Sequence, residues 1–135
     1  MTPLRILLIE DETMIATLLA EVLESMGHDV CGIEATELGA VAGAILYRPD
    51  LMIVDARLGD DSGLFAVAEI IRRGFIPHVF VSGDAARVRA LRPDAVVLQK
   101  PFREAELTRA MKLAMRESGL PRQPSIPPSG DPIVA

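Results

Sequence analysis

A chain of 135 residues has room for one domain with a real core and too little for two ordinary ones. Half of it is apolar, its formal net charge is −5, and its arginines are scattered rather than clustered. That argues against a nucleic-acid surface, which needs grouped cations to neutralise phosphates.

The first apolar run, Leu4 to Ile9, reads as a strand ending at Glu10-Asp11. It is too short for a signal peptide or a membrane span, so a cytoplasmic protein without membrane contact is expected. A helix follows over about 12 to 26, with Ile15, Leu18, Leu19, Val22, Leu23 and Met26 on one face and Gly27 as its stop. His28 to Ile33 makes a short second strand suited to a sheet edge. It holds Cys31, the single cysteine, which can form neither an intramolecular disulfide nor a thiolate metal site and reads as a buried, inert thiol. An Ala-rich helix, about 35 to 47, ends before Pro49. The third strand, 51 to 54, runs into Asp55 and a loop that lasts to Gly63. A third helix carries Leu64, Val67, Ala68, Ile70 and Ile71 inward and stops near Gly74. The fourth strand, 78 to 81, ends at Ser82. The span from Gly83 to Asp94 contains Pro93, so it admits a two-turn helix over Ala85 to Leu91 or none. The fifth strand, 95 to 99, ends at Lys100-Pro101, and a last helix covers about 103 to 117. Ser118 to Ala135 holds five of the ten prolines and reads as a disordered tail behind a domain of residues 1 to 117.

Short apolar strands alternating with helices predict an α/β domain with a doubly wound, five-stranded parallel sheet in the flavodoxin-like order 2-1-3-4-5. Strand order reverses between the first and third strands, and ligands bind outside the carboxyl ends at such a reversal. That edge collects Glu10, Asp11, Asp55, Ser82 and Lys100. Taken singly, Asp55 suits a turn or helix cap, Lys100 a solvated surface, and Ser82 the first turn of a helix. Gathered in one crevice, they serve no hydrophobic core. Glu10, Asp11, Asp55 and Lys100 sum to −2, and crowded carboxylates repel unless a cation intervenes. Oxygen ligands of this kind suit Mg²⁺ or Mn²⁺. A phosphoryl group on Asp55 would leave roughly −1 with a divalent cation and roughly −3 without it, so phosphorylation should require the metal. Asp55 is the candidate nucleophile for an acyl phosphate, with Lys100 and Ser82 placed to contact the phosphoryl oxygens. His28 and His78 begin apolar strands and read as structural.

Ile6-Leu7-Leu8-Ile9-Glu10-Asp11-Glu12, Asp55 with Leu58 and Gly63 downstream, Val81-Ser82-Gly83 and Lys100-Pro101-Phe102 together resemble the receiver domain of two-component response regulators, in its stand-alone form. The resemblance covers residues 4 to about 117. It implies that Asp55 accepts phosphate from a histidine kinase or histidine phosphotransfer protein. It implies that Asp11, Asp55 and the backbone carbonyl of Arg57 hold Mg²⁺, with Glu10 nearby or acting through water. Ser82, Gly83 and Lys100 would bind the phosphoryl group, and the Lys100–Pro101 bond would be cis. Such a protein is a phosphoacceptor rather than an enzyme acting on other molecules.

The chain departs from the family pattern in three places. Val97 stands where many relatives carry a switching aromatic, Gly59 replaces a common proline, and Arg57 puts a long cation at the mouth of the site. The signal is therefore expected as ordering of residues 83 to 94. Its output face would be that segment, the fifth strand and the last helix, with Arg87, Arg89, Arg103 and Arg109, offered to a protein partner and not directly to DNA. Two other readings fit these residues less well. A haloacid-dehalogenase-type phosphatase wants its second aspartate where Arg57 stands and its nucleophile on the first strand. An unphosphorylated receiver-like module should have lost Asp55 or Lys100. A phosphate sink or relay without its own output remains open on sequence alone.

Overall fold

The computed structural model describes residues 2–119. Five strands form one parallel sheet: β1 (Arg5–Ile9), β2 (Asp29–Glu34), β3 (Leu51–Asp55), β6 (His78–Ser82) and β7 (Val96–Gln99), in the order β2-β1-β3-β6-β7. Counting these five alone, this is the expected 2-1-3-4-5 order. The two remaining strands, β4 (Arg57–Leu58) and β5 (Asp61–Ser62), form a separate antiparallel pair. The helices are α1 (Thr13–Ser25), α2 (Glu37–Tyr47), α3 (Gly63–Ile71), α4 (Ala85–Leu91) and α5 (Glu104–Gly119).

Strand alternation divides the core between two faces of the sheet. Ile6 and Leu8 of β1 join Leu23 of α1 and Leu107 and Met111 of α5. Leu7 and Ile9 pack the other way, against Ala40 and Ala44 of α2, Val67 and Ile70 of α3, and Val88 of α4. Because both faces are covered, β3 and β6 are buried along their whole length, as a central parallel strand requires. Three helices begin at side-chain caps: Thr36 accepts from Gly39 N–H, Ser62 from Phe65 N–H and Asp84 from Arg87 N–H. Gly27 follows α1 at φ +96°, the left-handed geometry that closes a helix.

Several expectations need correction. The stretch after Asp55 is not plain loop: β4 and β5 make a small hairpin with Leu58 buried beneath it. The hairpin is tied to α2 by a reciprocal pair, Ser62 N–H donating to Glu37 Oε2 at 2.7 Å and Glu37 N–H to Asp61 Oδ2 at 3.0 Å. Cys31 is half-buried rather than buried, because the β1–β2 register shifts beside it, between Ile6 and Leu7. Its thiol contacts the Ile6 carbonyl at 3.4 Å, and burial pushes its pKa up. The last helix runs to Gly119, two residues past the expected end, and the rest of the proline-rich tail lies outside the described residues. The short α4 does form, over Ala85–Leu91. Both histidines are buried: His28 Nδ1 accepts from Leu4 N–H, and His78 Nδ1 meets the Ile76 carbonyl at 2.8 Å. No described helix is long and apolar enough to cross a membrane.

Candidate functional site

The carboxyl ends of β1, β3, β6 and β7 open onto one cleft of about 450 Å³, lined by Glu10, Asp11, Asp55, Arg57, Ser82, Gly83 and Lys100, among others. Every candidate side chain from the sequence is thus gathered in one place. Backbone hydrogen bonds lock the strand ends there: Glu10 N–H to Glu34 O, Ala56 N–H to Val81 O and Lys100 N–H to Ser82 O. The Lys100–Pro101 peptide is cis.

Asp55 is buried, and both of its carboxylate oxygens are engaged. Oδ1 accepts the Arg57 N–H at 2.9 Å, and Oδ2 takes the Lys100 ammonium at 2.7 Å. The lysine restrains the carboxylate while remaining about one-third exposed toward the cleft. Its own pKa moves up: burial works against the charge, but the hydrogen bond to Asp55 and the charges of Asp55 and Glu10 outweigh that cost.

One carboxylate oxygen from each of Glu10, Asp11 and Asp55 lies within 4.8 Å of the others. Glu10 is pushed up to about 7, first by burial and further by the negative charge of Asp55, against the Glu12 N–H that it accepts and the charge of Lys100. One ammonium therefore does not neutralise this cluster. Hard oxygen donors at this spacing, with Asp11 exposed to solvent, fit a small divalent cation that keeps some of its water.

Ser82 is buried, and its Oγ accepts the Asp84 N–H at 2.9 Å. No acceptor among the described residues takes its hydroxyl proton, so that proton can be donated into the cleft. Gly83 beside it is exposed.

Gly63 explains why α3 can start so close to Asp55. A Cβ there would stand 2.0 Å from the Asp55 carbonyl oxygen and 2.8 Å from Val54 Cγ1. Gly59 sits at φ +61°, out of reach of a proline ring, which accounts for the missing proline. Val97 is half-buried against the α2–α4 side of the core.

A family description, the response regulator receiver domain, matches residues 6–112. The chain belongs to the response-regulator receiver family. Among curated proteins this receiver is similar to the phyllosphere-induced regulator PhyR of Methylorubrum extorquens, at 35% identity over 114 residues, covering 82% of this chain and 43% of that one. It is also similar to the transcriptional regulatory protein PdtaR of Mycobacterium tuberculosis, at 34% identity over 117 residues, 84% of this chain and 57% of that one. The chain thus spans about half the length of these relatives. Among solved structures, the PhyR receiver domain of Erythrobacter litoralis superposes with a TM-score of 0.79 at 29% identity, covering 89% of this chain and 95% of that one. The anti-anti-sigma factor PhyR of Bartonella quintana superposes at 0.75 with 30% identity, over 87% of this chain and 49% of that one.

The structure of this receiver adds one residue that the sequence did not single out. The Gln99 side chain accepts the Ala85 N–H at 2.9 Å and donates to the carbonyls of Gly83 at 2.8 Å and Lys100 at 2.9 Å. It binds the β6–α4 turn to the residue that holds Asp55. A glutamine at the exposed end of an edge strand gives no pattern in sequence; only the fold reveals its three partners.

Proposed function

We propose that this receiver takes a phosphoryl group onto Asp55 from the phosphohistidine of a histidine kinase or histidine phosphotransfer protein, and signals by binding a partner protein. The observation that carries this reading is the Lys100 ammonium at 2.7 Å from the buried Asp55 carboxylate, inside a cleft that also holds Glu10, Asp11 and Ser82. An Asp55 carboxylate oxygen attacks phosphorus, the P–N bond breaks, and the donor imidazole leaves with the electron pair. Lys100 moves its charge onto a phosphoryl oxygen, and the Ser82 hydroxyl and Gly83 N–H donate to the others. Attack of water on phosphorus later breaks the P–O bond to Asp55 and releases inorganic phosphate. Asp11, Asp55 and the Arg57 carbonyl, with Glu10 beside them, would hold Mg²⁺ or Mn²⁺, which supplies positive charge to the transferring phosphoryl oxygens. The protein is then a phosphoacceptor that serves its own turnover, not an enzyme acting on further substrates, and it works in the cytoplasm.

The partner face is the groove of about 410 Å³ between α4 and α5 over β7, lined by Arg89, Val97, Gln99, Arg109 and Leu113 among others. The designation of the Bartonella quintana relative as an anti-anti-sigma factor favours output through protein contact rather than direct DNA binding. With Val97 unable to swing a ring, phosphorylation is read out through residues 83–94, where α4 already stands as a helix and would be held more tightly.

The test is intact-mass measurement after incubation with Mg²⁺ and a small phosphodonor. Wild type should gain one phosphoryl group. Asp55→Asn should gain none, as should wild type with chelator. No gain in wild type, or an equal gain in Asp55→Asn, would refute the assignment.

A further inference from the structure

α2 carries no charged residue after Glu37, and α3 carries only Glu69. Their outward faces are apolar too: Leu38 is 82% exposed, Leu46 72%, Phe65 71% and Ile45 54%. A helix that is apolar all round is normally buried on every side. α5 is the contrast, with Glu104, Glu106, Arg109, Lys112 and Arg116 along its length. An apolar face spread over two adjacent helices marks a surface that something covers.

The arrangement of that face identifies its occupant. At the end nearest the phosphoryl cleft, Leu38 and Phe65 project beside a groove edged by Glu37 and Asp61, with Asp60 in the adjoining turn. At the opposite end, Val41, Ile45, Ile70 and Phe75 line an apolar hollow of about 300 Å³ rimmed by Arg48 and by Arg73, whose guanidinium already lies 3.4 Å from Glu69, so the charge contact with a second copy falls mainly to Arg48. Knobs with acids lie at one end, and a hollow with arginines lies at the other. A two-fold axis through the middle of this face, near Ala42, places each end on the opposite end of a second copy. That operation seats knobs in hollows and carboxylates against guanidiniums, and it closes at two subunits. Stacking the same face in parallel would oppose acid to acid.

We propose that this receiver forms an isologous dimer through α2 and α3, with the helices of the two copies antiparallel. This surface is separate from the cleft and from the α4–β7–α5 face, so a dimer leaves both accessible.

Analytical ultracentrifugation of the full chain over a concentration series tests this, with circular dichroism confirming the fold of each variant. Wild type should self-associate to a dimer and no further. Leu38→Glu alters a side chain with almost no internal packing, so it should stay folded and weaken association about 100-fold, a change of about 2.8 kcal/mol. Arg48→Glu and Asp60→Arg should each weaken the dimer, and the double variant should regain most of the wild-type affinity. That rescue reports the antiparallel register and does not depend on any apolar substitution being tolerated. A wild type that stays monomeric throughout the series would overturn the proposal, which is also the result expected if a different protein covers this face. A dimer indifferent to Leu38→Glu, or a double charge variant without rescue, would overturn it equally.

Discussion

Replacing Gly63 by alanine tests whether Asp55 is held by backbone contact rather than by its ion pair alone. The added Cβ would lie 2.0 Å from the Asp55 carbonyl oxygen, whereas a carbon–oxygen contact settles at about 3.3 Å. The start of α3 must therefore retreat by about 1.3 Å, a distance that follows from those two lengths. Retreat strains the hydrogen bond from Gly63 N–H to the Ala56 carbonyl, now 2.9 Å, at a cost of about 1 kcal/mol. Overpacking against Val54 and the Asp55 backbone adds about 1–3 kcal/mol. The sum, about 2–4 kcal/mol, corresponds to a fall in Tm of roughly 8–16 °C, taking about 4 °C per kcal/mol for a chain of this length. Any displacement shared by Asp55 also moves its carboxylate away from Lys100, and a 1 Å error at a reacting group costs about 100-fold in rate. Thermal unfolding followed by circular dichroism, paired with the rate of phosphoryl uptake, measures both effects. Two other glycines calibrate the result. Gly83→Ala meets nothing within 4 Å and should change stability by no more than about 0.5 kcal/mol. Gly27→Ala, at φ +96°, should cost about 1 kcal/mol through backbone strain alone. If Gly63→Ala melts within about 2 °C of wild type and accepts phosphate at the wild-type rate, the close-approach argument is wrong.

Three further outcomes are expected. Gln99→Leu removes two side-chain hydrogen bonds to the β6–α4 turn and a third to the Lys100 carbonyl; amide exchange over 84–91 should accelerate about 10- to 100-fold, and unchanged protection there would contradict its role as a tie. Arg57→Ala should alter the lifetime of the Asp55 acyl phosphate, since Arg57 is exposed at the mouth of the cleft; equal decay rates for variant and wild type would remove the idea. His78 is pushed below 6.5, first by burial and then by the nearby Arg92 charge, against its bond to the Ile76 carbonyl. Below pH 6.5 the unfolded chain therefore binds a proton that the folded chain resists. Stability falls as pH drops from 6.5 toward the depressed folded value, with a slope of at most about 1.4 kcal/mol per pH unit from this residue. His78→Phe keeps a ring near Phe80 and cannot titrate, so urea midpoints across pH 5–7.5 should lose that component; identical slopes in the two proteins would show that His78 contributes nothing.

The sheet order and the cleft residues were legible in the sequence because parallel strands buried on both faces leave continuous apolar runs, and each run here stops at a polar residue. Glu10, Asp55, Ser82 and Lys100 are those stops. The remaining features depend on geometry between distant segments. Nothing in Asp55 to Gly63 marks β4 and β5, which are two residues each and held partly by Glu37 from another helix. The role of Gly63 follows from how near α3 starts to β3, a distance no spacing encodes. Cys31 departs from the expected burial beside a register shift in the edge strand, which leaves it partly in solvent.

The hairpin after Asp55 is fastened at two points, to Glu37 on α2 and, through the Gly63 N–H, to the Ala56 carbonyl next to Asp55. Both walls of the cleft are thus tied, the hairpin wall to α2 and the Ser82 wall to Gln99. On the Ser82 side, a helix of seven residues starts where a single glutamine amide accepts its first N–H. The two ties differ in kind, and a change at one side chain, Gln99, therefore loosens one wall of the cleft while leaving the other in place.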